Sequence, residues 1–202
     1  MSFTFGSVDY VECLPFLLNI HYAHRVPCLQ YKYGMFDDGK LIGVCTFGQP
    51  ASPFLCKGIA GEENRSKVIE LNRLCFLPSY NGNNHASMLV SYSLKQLPRA
   101  MIVVSYADFG LMGHVGYVYQ ATNWMFTGTT KPRTDMKSES GHSRHNCGDS
   151  SQRQNRTAKH RYIYITGTKN DKRNLLKKIN YPIIREYPKT ENNKEKTCRQ
   201  YR

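Results

Sequence analysis

Four pieces of the chain follow one another in an order that few folds accommodate. Residues 68–77 read Val-Ile-Glu-Leu-Asn-Arg-Leu-Cys-Phe-Leu, a largely apolar run that Pro78 brings to an end. Residues 79–84, Ser-Tyr-Asn-Gly-Asn-Asn, form a loop of small polar residues. Residues 85–97 place Met88, Leu89, Tyr92 and Leu97 as helix contacts and stop before Pro98. Residues 100–105, Ala-Met-Ile-Val-Val-Ser, read as a second strand. Strand, loop, helix and strand make a βαβ unit, which commits its two strands to parallel pairing.

The remaining segments add to this unit. Residues 12–25 offer a helical face of Leu14, Leu17, Leu18 and Tyr22, with Pro15 expected in the first turn. Residues 28–33 and 41–47 are strand-like, and Asp37-Asp-Gly-Lys40 between them is a hairpin signal. Residues 48–61, with Pro50, Pro53, Gly58 and Gly61, read as a shaped loop. A strand resumes at 161–166, a short basic helix is expected over 170–180, and residues 181–188 are extended. The expected fold class is α/β (α+β): one domain over 1–190 with a mixed central sheet flanked by helices, and a basic tail over 191–202.

Charge separates the chain into two regimes. Residues 1–130 carry a net charge of +1 and residues 131–202 a net of +12. Such asymmetry points to nucleic acid as partner. Residues 131–160 are nearly free of apolar side chains, a composition that stays mobile until a partner orders it. No apolar run is long enough to span a membrane, and the N-terminus lacks a signal-peptide pattern, so a cytoplasmic location is expected. The seven cysteines include no C-x-x-C pair, which favours small core residues over zinc ligands or disulfides.

Chemistry concentrates in two places. Ser105-Tyr-Ala-Asp108 ends the second strand of the βαβ unit, and a Gly-rich stretch around His114 leads to Tyr119, Asn123 and Trp124. Ligands of open α/β sheets bind at such strand ends. The loop before residue 85 opens a helix, whose free N–H groups suit phosphate. Its Asn81, Gly82, Asn83, Asn84 and Ser87 are the expected cofactor contacts, in a layout similar to the pyrophosphate loop of GNAT acetyltransferases. Glu70 and Arg73, charged residues inside an apolar strand, need a partner or an outward face, and the functional reading puts Arg73 at the wall of a pocket.

Several segments together resemble one family. Glu70-Leu-Asn-Arg-Leu74, Ser105-Tyr-Ala-Asp108, Gly113-His-Val-Gly116 and Tyr119-Gln-Ala-Thr-Asn-Trp124 are similar to the Mom family of phage DNA-modification proteins. So are Phe47-Gly-Gln-Pro-Ala-Ser52, Thr130-Lys-Pro-Arg-Thr-Asp135, Gly141-His-Ser-Arg-His145 and Lys159-His-Arg-Tyr162. The resemblance implies a GNAT-like fold. It also implies conversion of adenine in DNA to its N6-methylcarbamoyl form, which shields phage DNA from host restriction. It implies acetyl-CoA as a donor and suggests iron.

Carried onto this chain, the resemblance gives catalytic roles to Arg73, Ser105, Asp108, His114 and Tyr119. Asp108 is the expected base, since the exocyclic amine of adenine must lose a proton as the new bond forms. Tyr119 is the expected acid, with His114 as a second acid/base candidate. If iron is used, His21 with Asp108 and His114 is the expected ligand set by residue type. Duplex DNA hides the reactive edge of adenine, so the base has to be flipped out. Arg133, Arg144, Arg153, Arg156, Lys159 and Arg161 are the expected phosphate contacts. Two other readings remain: an N-acetyltransferase acting on another amine, and a DNA-binding protein without catalysis.

Overall fold

The computed structural model describes residues 2–82, 84–136 and 153–189. Among these, the βαβ unit forms as its sequence predicts. Strand β4 (Val68–Phe76), helix α3 (His85–Gln96) and strand β5 (Ile102–Asp108) are consecutive, and β4 and β5 pair in parallel. Strands β2 (Tyr31–Asp37) and β3 (Lys40–Gly48) form the expected hairpin, turning at Asp38 (φ 47°) and Gly39 (φ 79°). Two strands of the main sheet escape the sequence reading: β1 (Phe3–Ser7) at one edge and β6 (Met125–Thr129) at the other. Strands β7 (Arg133–Met136) and β8 (Arg153–Arg156) make a separate antiparallel ribbon, and β9 (Lys159–Ile165) returns to the main sheet. The seven-stranded sheet has the order β1-β2-β3-β4-β5-β9-β6 and is mixed.

Helices cover both faces. On one, α3 buries Leu89, Val90 and Leu94 against Phe47, Ile69, Leu71 and Val103, with the wholly buried Trp124 in the same cluster. Removing a side chain such as Leu89 from water contributes about 1.5–3 kcal/mol. Tyr119, on the short helix α5 (Tyr117–Ala121), packs on this cluster. The opposite face carries α1 (Tyr10–Pro15), α2 (Pro53–Ala60) and α6 (Lys169–Leu176). A fourth small helix, α4 (Phe109–Met112), follows β5 directly and α5 follows it.

Three expectations need correction. The helix expected over 12–25 starts at Tyr10, behind an Asp9/Glu12 capping box, so Pro15 lies at its end. Proline has no N–H to continue the α ladder, and the chain widens into a π-turn over Phe16–Ile20, closed by His21 N–H on the Phe16 carbonyl. The loop expected over 48–61 contains α2. Pro53 occupies its first turn, and Cys56, Ile59 and Ala60 are buried at helical spacing, a pattern obscured in the sequence by Gly58 and Gly61. The segment 131–160 is ordered at both ends by the β7–β8 ribbon, while its middle lies outside the described residues, as does the tail over 191–202. Of the cysteines described, Cys13, Cys45, Cys56 and Cys75 are buried free thiols, as their apolar settings predict.

Candidate active site

Parallel pairing between β4 and β5 lasts for three rows, Val68 with Ile102, Ile69 with Val103 and Glu70 with Val104. Beyond Glu70 and Val104 the strands part: β4 stays with β3, β5 with β9. The opening leaves main-chain groups without ladder partners, and buried ones must find others. Ser105 supplies one. Its hydroxyl donates to the Leu71 carbonyl at 2.9 Å. That spends its single proton, so the 2.8 Å contact with the Tyr119 hydroxyl is a bond Tyr119 donates. Burial pushes the Tyr119 phenol upward, so it keeps that proton at neutral pH.

A bulge in β4 builds the other side. Thr46 lies opposite Arg73 and Phe47 opposite Leu71, which leaves Asn72 as an extra residue. Its side chain accepts from the Thr46 hydroxyl at 2.7 Å and donates to the Cys28 carbonyl at 2.8 Å. Three residues apart, Glu70 and Arg73 would face opposite ways on a regular strand; the bulge puts both on the face away from α3. Arg73 donates through Nη1 to the Asn72 carbonyl at 2.6 Å, while its Nε is buried with no hydrogen-bond partner among the described residues. Such an orphaned donor is costly unless something accepts from it. Burial raises the Glu70 carboxyl to about 7, against the opposing pull of Arg73, Lys159, the Ala51 N–H and Arg25.

Asp108 ends β5 on this same face. It is 6% exposed, pairs with Lys159 Nζ at 2.9 Å and accepts from the Thr157 hydroxyl at 2.7 Å. Arg161 bonds Thr127 through Nε (2.9 Å) and Nη2 (2.7 Å) and lies 3.3 Å above the Tyr181 ring. His21 sits on the chain leaving the π-turn, with its Nδ1 accepting from the Ala23 N–H at 3.1 Å. Burial first, then the charges of Arg73, His24 and Arg25, hold it down to about 4, so it is neutral at pH 7.

The expected residues therefore sort by place. Arg73, Ser105 and Tyr119 line the opening between β4 and β5, Asp108 with Lys159 stands beyond it along β5, and Glu70, left by its sequence as either a pair member or an outward charge, sits at its root. His114 is exposed on the loop after α4. No three of His, Cys, Asp and Glu come together among the described residues, so His21, Asp108 and His114 do not form a metal site, and the donor set does not fit iron. Asn81, Gly82 and Asn84 are exposed before α3, whose end has no side-chain cap, and Ser87 donates to the Asn84 carbonyl at 2.8 Å. Asn83 and Arg144 lie outside the described residues. Tyr80, at the start of that loop, accepts through its carbonyl from His85 Nδ1 (3.0 Å) and donates its hydroxyl to Asp37 (2.7 Å). From Ser87 a groove of about 470 Å³ runs along α3 to Lys95, walled by Asn123 and Tyr164. Arg133, Arg153 and Arg156 stand on the β7–β8 ribbon.

A mixed seven-stranded sheet, helices on both faces and a central pair of parallel strands that open apart define the GNAT acetyltransferase fold. The structure is similar to that of a putative acetyltransferase from Salmonella typhimurium solved with its cofactor acetyl-CoA. The TM-score is 0.50 at 10% identity, over 82% of this chain and 94% of that one. The chain belongs to the Mom protein family, whose model matches residues 2–189. It is 32% identical over 114 residues to the methylcarbamoylase Mom of Escherichia phage Mu, a match covering 54% of this chain and 46% of that protein. The chain thus spans about half the length of that curated relative. Among the described residues no helix is long and apolar enough to cross a membrane.

Proposed function

We propose that this protein is a phage DNA-modifying transferase that converts adenine in DNA to its N6-methylcarbamoyl form and so protects the DNA from host restriction. Membership of the Mom family supports the substrate and the product. The observation that carries the reading is the pair Glu70 and Arg73 at the root of the opening, on a face that also holds Lys159 and Arg161. A carboxyl near pH 7 in a cationic pocket suits a base that takes one proton from a weakly nucleophilic amine. As N6 forms its bond to carbon, its N–H bond breaks and Glu70 takes up that proton. The Arg73 Nε donor offers an acceptor on base or donor a fixed place. Asn81, Gly82, Asn84 and Ser87 at an uncapped helix start would hold the pyrophosphate of acetyl-CoA; when bound it would supply activated acyl carbon, and the amide nitrogen of the product would come from a separate amine or ammonia donor.

Asp108 acts in this scheme beside Glu70, by holding Lys159 where the base and its phosphate arrive. Asp108→Asn should lower modified adenine about tenfold or more, because it unbalances a buried ion pair. Nucleoside mass spectrometry of DNA from expressing cells measures this, and an unchanged level would place Asp108 outside the site. The same measurement tests the function itself: acetylated amines without methylcarbamoyl adenine would make the protein an ordinary N-acetyltransferase.

The β7–β8 ribbon supplies phosphate contacts, and a two-stranded ribbon is narrow enough for a DNA groove. Each contact contributes about −0.9 to the slope of log K against log salt. Replacing Arg133, Arg153 and Arg156 together by Ala should flatten the slope by up to about 3 and weaken all duplexes alike. A slope that stays put would remove the ribbon from the interface.

A further inference from the structure

Phe54 is 82% exposed, more than any other large hydrophobic side chain described. Nothing in the fold uses it: α2 buries Cys56, Ile59 and Ala60 instead. Its position is nonetheless fixed. The loop before it is tied to the site, because the Ala51 N–H bonds Glu70. Phe54 is three positions on from Ala51, a reach of at most about 10 Å. The far end of α2 is pinned as well, by Asn180 N–H on the Ile59 carbonyl at 2.8 Å and by the Asn180 side chain on Lys57 and Gly58. Just before Asn180, Lys177 and Lys178 are exposed. Glu62, just past α2, pairs with Lys57 at 3.4 Å and Arg65 at 2.8 Å. An exposed aromatic ring at one end of a short helix, with exposed lysines next to the residue that pins its other end and a cationic cluster tied to the loop before it, matches a polyanion with a stack of flat rings.

We propose that Phe54 is the wedge that enters the base stack of duplex DNA when the target adenine leaves it, while Lys177 and Lys178 hold phosphates on the same face. This rests on adenine in DNA being the substrate. An extruded base leaves its neighbours unstacked, at a cost of a few kcal/mol, and an inserted apolar side chain offsets that cost. The ring works on the duplex, outside the reacting atoms, so Phe54 is a positioning residue. It becomes dispensable where the base is already unstacked.

The test starts from DNA of cells expressing the unsubstituted protein, in which modified adenines are mapped, and uses duplex fragments carrying those sites. With that protein bound, the thymine opposite each target adenine should gain permanganate reactivity as its partner leaves. Phe54→Ala should abolish the gain, lower modified adenine in cells at least tenfold, and leave the salt dependence of binding in place. Phe54→Trp should retain both activities. Where the base opposite the target adenine is mismatched, so that the adenine is already unstacked, Phe54→Ala should bind the fragment as tightly as the unsubstituted protein does. Full modification and full thymine reactivity in Phe54→Ala would overturn the wedge alone and leave Phe54 as a contact for another protein. Equal losses on matched and mismatched fragments would also overturn it, as a general folding effect. Absence of modified adenine with the unsubstituted protein would defeat the proposed function, and the wedge with it.

Discussion

Glu70→Gln should abolish adenine modification and at the same time make the protein more stable above neutral pH. The loss follows from the role of the carboxylate: the amide keeps its shape but takes no proton, and removal of a general base typically costs about 10²–10⁴-fold in rate. The gain follows from burial. The carboxyl stands at about 7 in the fold against an ordinary value of 4.5. Folded protein therefore holds this proton over a pH range in which unfolded chain has lost it. The charge costs nothing below about pH 4.5, its penalty grows between there and about 7, and it is constant above. Glu70→Gln should accordingly melt a few degrees higher than the unsubstituted protein at pH 8 and alike at pH 4, since about 1 kcal/mol shifts Tm by 2–4 °C at this size. Unsubstituted protein should show activity rising through about pH 7 and then levelling. A variant that is less stable at pH 8, or still active, would show that Glu70 belongs to a structural ion pair.

Arg73→Ala should be nearly as severe, for a different reason. It removes the orphaned Nε donor and with it the fixed point for base or donor, a loss of about 10²–10³-fold when a single such donor is deleted. It also takes away the largest of the charges that pull Glu70 down. The residual activity should therefore rise at higher pH than in the unsubstituted protein. Arg73→Lys separates the two effects: it restores the charge and the pH profile, but not the planar fork, so the rate stays low. Unmoved pH profiles in both variants would uncouple Arg73 from Glu70.

Much of the scaffold was legible because local signals agreed with one another. Pro78, the Asn/Gly loop, the helix over 85–97 and the strand ending at Ser105 each name one element of a βαβ unit, and the neighbouring hairpin adds antiparallel partners. What escaped had no such punctuation. β6 is a five-residue strand in a stretch to which the sequence reading gave no element, and α2 was hidden by Gly58 within it and Gly61 at its end. Within the candidate site, the resemblance made Ser105, Tyr119 and Arg73 legible as candidates. The alignment of Arg73 with Glu70 was not, since strict alternation sends residues 70 and 73 to opposite faces and only the pairing with β3 reveals the extra residue. Nor did any sequence signal foretell that Lys159, 51 positions from Asp108 by count along the chain, would close an ion pair with it across two adjacent strands.

The bulge at Asn72 also bears on how this strand can change length. Every side chain before it and after it keeps its face whether or not the extra residue is there, because Leu71 and Arg73 already oppose consecutive residues of β3. Position 72 is thus a place in β4 where one codon can be gained or lost without transposing core and pocket. A relative that lacked it would carry the same acid and guanidinium on one face as Glu-x-Arg, two residues apart instead of three. It would give up the ties to Thr46 and Cys28 that the Asn72 side chain provides here.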